Sequence, residues 1–324
     1  MRIAISDDYQ GAVATLSCYS KLDGHEVTIL RDTVTDVDGL AERFGPVEAL
    51  VLIRERTRIS RGLVERLPEL RLIAQTGRGI PHIDLDACTE HGVAVSVGSG
   101  SPVAPAELTW GLVLAAVRHI PAEATAIRAG SWQTTVGSEL HGRTLGIYGY
   151  GGIGAVVAGY GKAFGMRVIA TGRDGSLARA AAAGFETVDR EALFRESDVL
   201  SLHLKLTGET RGIVTAADLA SMKPSALLVN TARSGLIEGG ALATALGHGR
   251  PGFAAVDVFD EEPVPAGDPL VARDNALCTP HLGYVTRESY ELYFSQAFDQ
   301  INAFAAGAPT GVVNPACFGS DLPV

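Results

Sequence analysis

Cysteine is scarce in this chain of 324 residues: Cys18, Cys88, Cys278 and Cys317 stand far apart, with no C-x-x-C pair. That spacing suggests neither a zinc site nor a disulfide framework, so no metal is expected and a reducing cytoplasm is the compartment that fits. Runs of Lys or Arg are missing as well. With a net charge of −10 and a pI near 5.3, no stretch can track a phosphate backbone, and nucleic acid is not an expected partner. Nor is there the run of roughly 20 predominantly apolar residues that a membrane span needs. Thr144 to Gly161 carries seven glycines, and Gln300 to Ser320 carries Pro309, Pro315 and two asparagines. The first residues, Met1-Arg2-Ile3-Ala4-Ile5-Ser6-Asp7, meet acid too soon for a signal peptide and suit a first strand. No membrane association is expected.

Glycine, in contrast, is abundant: 38 residues, about 12% against a usual level of about 7%. Hydrophobic residues at 46% and charged residues at 20% are ordinary for a globular protein, and the length suggests two domains. Short β-rich apolar runs alternate with helical patterns from end to end, as in βαβ units with parallel sheets. One set of strand candidates is 2–6, 27–30, 49–53, 72–76 and 93–97. A second is 144–148, 167–171, 199–203, 227–231, 253–258 and 276–279, six strands being the count of a full dinucleotide-binding sheet. Between the sets, Ala106 to His119 is apolar nearly all round and should be a buried helix. An amphipathic run over 286–306 is long enough to return to the first domain.

The strand Thr144 to Tyr148 runs into Gly149-Tyr150-Gly151-Gly152-Ile153-Gly154 and then a helical stretch. This is G-x-G-x-x-G in the setting that binds a dinucleotide: a tight turn, a close approach of pyrophosphate to backbone, and close packing of helix on strand. The next strand ends Ala170-Thr171-Gly172-Arg173-Asp174. NAD sites place there an acid that bonds the ribose 2′-hydroxyl. Here that position is Gly172, and Arg173 could bind a 2′-phosphate, so NADP(H) is favoured over NAD(H). In the opposing reading Arg173 faces solvent and Asp174 takes the ribose.

Three later segments also follow strands: Asn230 to Gly235, Asp257 to Pro263, and Thr279-Pro280-His281-Leu282-Gly283. Reduction of a 2-oxo acid needs a proton donor, a carboxylate to hold it and a fixed cation for the substrate's carboxylate. Histidine, glutamate and arginine meet those needs. With the glycine turn and Met222-Lys223-Pro224, these segments resemble the D-isomer-specific 2-hydroxyacid dehydrogenases over essentially the whole chain. The resemblance implies an α/β fold of two domains, a Rossmann-type doubly wound parallel sheet (101–286) inserted in a flavodoxin-like substrate domain (1–100 plus 287–324).

By the same resemblance Arg233 would hold the substrate, His281 would protonate its carbonyl oxygen, and Glu262 would pair with the imidazole and raise its pKa. Spacing alone does not choose between Glu261 and Glu262; the family's glutamate stands immediately before the proline. Gly149 to Gly154, Thr231, Ala232, Asp257 and Gly283 would line the cofactor, Asp257 at the nicotinamide amide. His203 reads as structural or cofactor-adjacent. His25, His91, His141 and His248 read as surface residues. The implied activity is interconversion of a 2-oxo acid, of the glyoxylate/hydroxypyruvate type or larger, and a D-2-hydroxy acid with NAD(P), in the reductive direction and by a homodimer. The alternative is a nucleotide-sensing, corepressor-like binding protein on the same fold.

The first domain departs from the family pattern at Gln75-Thr76-Gly77-Arg78-Gly79-Ile80-Pro81-His82. Gly77 and Gly79 keep the small-residue chemistry that meets a substrate carboxylate, while Pro81 lacks an N–H. Arg54 and Arg78 match substrate-side positions. Together with Arg233 they would select a second anionic group, unless they pair with Glu55 or Asp84 and merely hold the loop.

Overall fold

A computed structural model describes residues 1–319. The described chain divides into two compact units: Met1–Ser101 with 286–319, and Pro102–Val285.

The first unit is built on five parallel strands, β1 (Arg2–Ile5), β2 (Glu26–Ile29), β3 (Ala49–Leu52), β4 (Leu72–Gln75) and β5 (Ala94–Val97), in the order β2-β1-β3-β4-β5. This is the flavodoxin-like order, with its switch point between β1 and β3. β3 and β4 are buried throughout, as expected of parallel strands covered on both faces, and only the edge strand β2 is half-exposed. One face packs Leu50, Leu52, Ile73 and Val95 against Leu40, Phe44, Leu63 and Cys88. The other carries the helix Arg287–Ala305, capped by Thr286, whose Oγ1 accepts the Ser289 N–H at 3.1 Å. Its Phe294 and Phe298 are fully buried, each contributing about 1.5–3 kcal/mol. Lys21 ties to its Asp299 at 2.6 Å. His25, expected at the surface, is instead half-buried in this seam. Its Nδ1 meets the Met1 amino group at 3.1 Å and its Nε2 meets Asn302 Oδ1 at 2.9 Å.

The second unit holds β6 (Thr144–Tyr148), β7 (Arg167–Thr171), β8 (Glu186–Thr187), β9 (Val199–Leu202), β10 (Leu227–Asn230), β11 (Phe253–Val256) and β12 (Ala276–Cys278), all parallel, in the order β12-β11-β10-β9-β6-β7-β8. The apolar runs predict six strands and there are seven. β8 is two exposed polar residues paired to Ile169 and Ala170, so it leaves no apolar run to detect. The helix Val103–Val117 starts three residues earlier than its pattern. Ala106, Trp110, Leu112, Val113 and Ala116 join Leu145, Ile147, Val157 and Val229 in one core, while Val103, Glu107 and Gly111 stay exposed. Several strands stop one or two residues before their apolar runs do, because Thr76, His203, Thr231 and Thr279 leave the ladder for the loops that follow. No described helix is long and apolar enough to cross a membrane.

Candidate active site

The strand order of the second unit's parallel sheet reverses between β6 and β9, the point where open α/β sheets bind ligands. β6 ends there in the glycine turn. Gly149 has φ +98°, and a Cβ on it would lie 2.8 Å from the carbonyl oxygen of His203, just beyond β9. A Cβ on Gly154 would lie 2.3 Å from Gly149 O and 3.2 Å from Ile147, so helix and strand can pack this closely only with glycine. Gly151 is different: a Cβ there meets nothing within 4 Å. That open side, at the start of the twelve-residue helix Gly152–Ala163, is where unpaired N–H groups and the helix dipole favour a pyrophosphate. The residues therefore fit a dinucleotide.

Tyr150 and Ile153, expected as cofactor residues, turn their side chains toward the core. The Tyr150 ring is buried against Phe185 at 5.7 Å between centroids, and Ile153 packs on the core. Arg173 is exposed and paired with Glu209 at 2.9 Å. His203 bonds Ser201 Oγ through Nε2 at 2.9 Å, and burial pushes its pKa down to about 4, which keeps the ring neutral at ordinary pH.

Beyond β10, β11 and β12 the three loops are held by buried polar residues. Asn230 clasps the first from both sides: Oδ1 accepts the Ala232 N–H at 3.1 Å and Nδ2 donates to Arg233 O at 2.9 Å. Thr231 is anchored by a 2.6 Å hydroxyl contact with the fully buried Thr109. Arg233 is half-buried, and its Nη1 donates to Ala232 O at 2.7 Å.

Asp257, expected at the nicotinamide amide, is fully buried and is already engaged by the third loop. Oδ1 accepts from Thr279 Oγ1 at 2.6 Å and Leu282 N at 2.7 Å, and Oδ2 accepts from Gly283 N at 2.9 Å. Burial pushes its carboxyl pKa up against these three bonds, which pull it down. The loop so fixed holds His281 at φ +52°, with Nδ1 2.6 Å from Glu262 Oε2. Of the two adjacent glutamates, the one that reaches the imidazole is Glu262, whose Oε1 also accepts the Phe259 N–H at 2.9 Å. Tyr284 stands edge-on to the imidazole at 5.3 Å.

In the first unit, Gln75 is fully buried and its amide donates to both Arg54 O and Gly79 O at 2.9 Å, so one side chain fixes the loops that follow β3 and β4. Arg54 sits at φ +56°. Its N–H donates to Thr76 Oγ1 at 2.8 Å, its Nη1 to Thr76 O at 3.3 Å, and its guanidinium lies 5.6 Å over the Tyr293 ring. Gly77, at φ +88°, makes room for that cation: a Cβ there would fall 1.9 Å from Arg54 Nη1. Arg78 is exposed, and Asp84 serves as the cap of the helix Leu85–Glu90, accepting the Ala87 N–H at 2.9 Å.

The family model described as "D-isomer specific 2-hydroxyacid dehydrogenase, NAD binding domain" matches residues 110–283. The chain is 40% identical to a glyoxylate reductase of Aeropyrum pernix over 79% of this chain and 80% of the relative. It belongs to the D-isomer specific 2-hydroxyacid dehydrogenases. A D-3-phosphoglycerate dehydrogenase of Methanocaldococcus jannaschii is 39% identical over 83% of this chain, which spans only 52% of that longer relative. A crystal structure from Ralstonia solanacearum, described as a D-3-phosphoglycerate dehydrogenase oxidoreductase, superposes with a TM-score of 0.96 at 52% identity, covering 98% of this chain and 97% of that one.

Membership makes the protein a nicotinamide-dependent 2-hydroxyacid dehydrogenase acting on small 2-hydroxy or 2-oxo acids. Within this dehydrogenase, sequence reasoning did not foresee the anchoring roles of Gln75, Asn230 and Thr279, which lie in the segments it named, and missed Thr109 altogether. Their signal was faint: a polar residue ending an apolar strand, or a threonine inside an apolar helix, each of which is more often a local capping feature.

Proposed function

We propose that this dehydrogenase works chiefly as a reductase of 2-oxo acids to D-2-hydroxy acids, with Arg233, Glu262 and His281 as its catalytic residues. The 2.6 Å contact between His281 Nδ1 and Glu262 Oε2 carries the reading. A carboxylate at Nδ1 keeps the proton on that atom, which turns Nε2 toward the reacting oxygen. A bound NAD(P)H supplies the hydride. Nε2 of the imidazolium gives its proton to the carbonyl oxygen as that oxygen gains charge, and Glu262 steadies the ring through the transfer. Arg233 grips the substrate's carboxylate and carbonyl oxygen with a planar fork. Arg54, Gly77, Arg78 and Gly79 form the substrate-side loop. Thr231, Ala232 and Gly283 face the nicotinamide end, with Asp257 acting from behind by fixing the loop that carries Gly283, and Gly149 to Gly154 face the pyrophosphate.

NADP(H) is the favoured cofactor, because no acid stands at Gly172 and Arg173 follows it. Glyoxylate and hydroxypyruvate are the favoured substrates, in line with the glyoxylate reductases and hydroxypyruvate reductase among the relatives. The site of action is the cytoplasm. The active form is a homodimer, supported by exposed Ile120, Ile127, Trp132 and Val136 on one stretch of chain.

Steady-state rates with glyoxylate, hydroxypyruvate and 2-oxoglutarate, each with NADPH and NADH, test the substrate and cofactor assignments. Faster turnover of 2-oxoglutarate would favour selection of a second anion by Arg54 and Arg78. His281→Ala should lower kcat by about 10²-fold or more, the scale of general acid catalysis. Near-normal turnover would remove His281 from the role.

A further inference from the structure

Gly172 stands where an NAD site carries its ribose-binding acid, and the space beside it is taken. A Cβ on Gly172 would lie 2.9 Å from Oγ and 3.2 Å from Cβ of Ser176, and 3.6 Å from Cα of Gly149. Ser176 is itself committed, since its Oγ accepts the Tyr150 N–H at 2.7 Å. The room an aspartate would need is therefore filled by a hydroxyl that holds the phosphate-binding turn. Three residues on, and so on the same face of the helix Asp174–Ala182, Arg179 reaches the other backbone group of the same residue: its Nη2 donates to Tyr150 O at 3.1 Å.

We propose that Gly172 and Ser176 are a size-coupled pair that excludes the ribose-binding carboxylate, and that Arg179, more than Arg173, receives the 2′-phosphate of NADP(H). The second half rests on the NADP(H) reading above. Arg173 is held by Glu209 at 2.9 Å, so a phosphate must displace a carboxylate of its own sign. The bond from Arg179 goes to a neutral carbonyl, and a guanidinium has five N–H donors, leaving others for a bidentate phosphate contact.

The test is calorimetric binding of adenosine 2′,5′-bisphosphate and of 5′-AMP to the full chain, with no turnover involved. The unaltered protein should bind the bisphosphate at least about tenfold more tightly, the scale of a charge-assisted pair. Arg179→Met should remove most of that ratio, and Arg173→Met should change it by less than about threefold, as for an exposed ion pair. An unchanged ratio in Arg179→Met overturns its assignment. Gly172→Asp alone should bind 5′-AMP more weakly and melt lower, whereas Gly172→Asp with Ser176→Gly should bind 5′-AMP more tightly than the single variant while still melting below the unaltered protein, because the Tyr150 N–H loses its acceptor and the helix Asp174–Ala182 gains a glycine. Equal 5′-AMP affinity in the single and double variants overturns the steric pair. If the unaltered protein shows no preference for the bisphosphate, the NADP(H) reading and the Arg179 role fall together, while the single-against-double comparison still decides the pair.

Discussion

Asp257 is the residue whose loss should reveal how the histidine loop is held. Its carboxylate is the acceptor for two backbone N–H groups, Leu282 and Gly283, and for the Thr279 hydroxyl. In Asp257→Ala the hydroxyl can turn elsewhere, but both N–H groups are left without an acceptor, at about 1–3 kcal/mol each. Part of this is recovered because a fully buried charge is no longer desolvated; burial already raises the Asp257 pKa. A raised carboxyl favours folding below its unfolded pKa and loses that contribution as pH rises through the folded value, so at neutral pH the ionised form bears a cost.

The net expectation for Asp257→Ala is a loss of about 2–4 kcal/mol, or roughly 4–16 °C in the melting transition of a domain of this size. Asp257→Asn keeps one acceptor oxygen but turns an NH₂ toward the other donors. It orphans one N–H instead of two and should lose about half as much. His281 rides on this loop at φ +52°, a conformation that persists only where its surroundings impose it. Both variants should therefore lower kcat, Ala more than Asn. Differential scanning calorimetry and steady-state kinetics check this. Equal melting temperatures and rates in the three proteins would refute the idea that Asp257 anchors the loop.

Gly149→Ala combines a left-handed backbone, about 1–2 kcal/mol for an L-residue, with a Cβ 2.8 Å from His203 O. It should destabilise by about 2–5 kcal/mol in all and weaken NADH binding measured by fluorescence; an unaltered melting temperature would show that the turn can shift freely. His203 has its pKa depressed to about 4 by burial, against about 6.5 unfolded. Between those values the unfolded chain binds more protons, so the contribution of the neutral ring is complete above pH 6.5 and declines as pH falls toward 4, by about 2–3 kcal/mol. His203→Gln should flatten melting temperature against pH in that window. Parallel curves for the two proteins would contradict it.

Much of the architecture was legible because it rests on local periodicity. Alternating apolar runs announced two parallel sheets, and G-x-G-x-x-G between a strand and a helix announced the dinucleotide turn. Arg233, His281 and an adjacent pair of glutamates stood out as residue types that follow strands, Glu262 being preferred only by its resemblance to the family's glutamate before proline. β8 was not, being two polar residues whose only strand character is their pairing with β7. Nor could spacing choose between Glu261 and Glu262, since the choice depends on how the 257–263 loop turns against a histidine 19 residues beyond Glu262.

The chain's local chemistry by itself determined the α/β class, the glycine turn and the segments that bear the chemistry, because helix and strand periods, glycine freedom and turn residues act within a few positions. Only the tertiary structure decided which polar groups serve as anchors. Gln75 joins Arg54 to Gly79, Thr109 meets Thr231 across 122 residues, and Gly77 must be glycine because Arg54 lies over it. Ser176 likewise fills the space beside Gly172. Such contacts follow from which buried donor finds which acceptor once the strands have been laid side by side, and no local pattern carries that information.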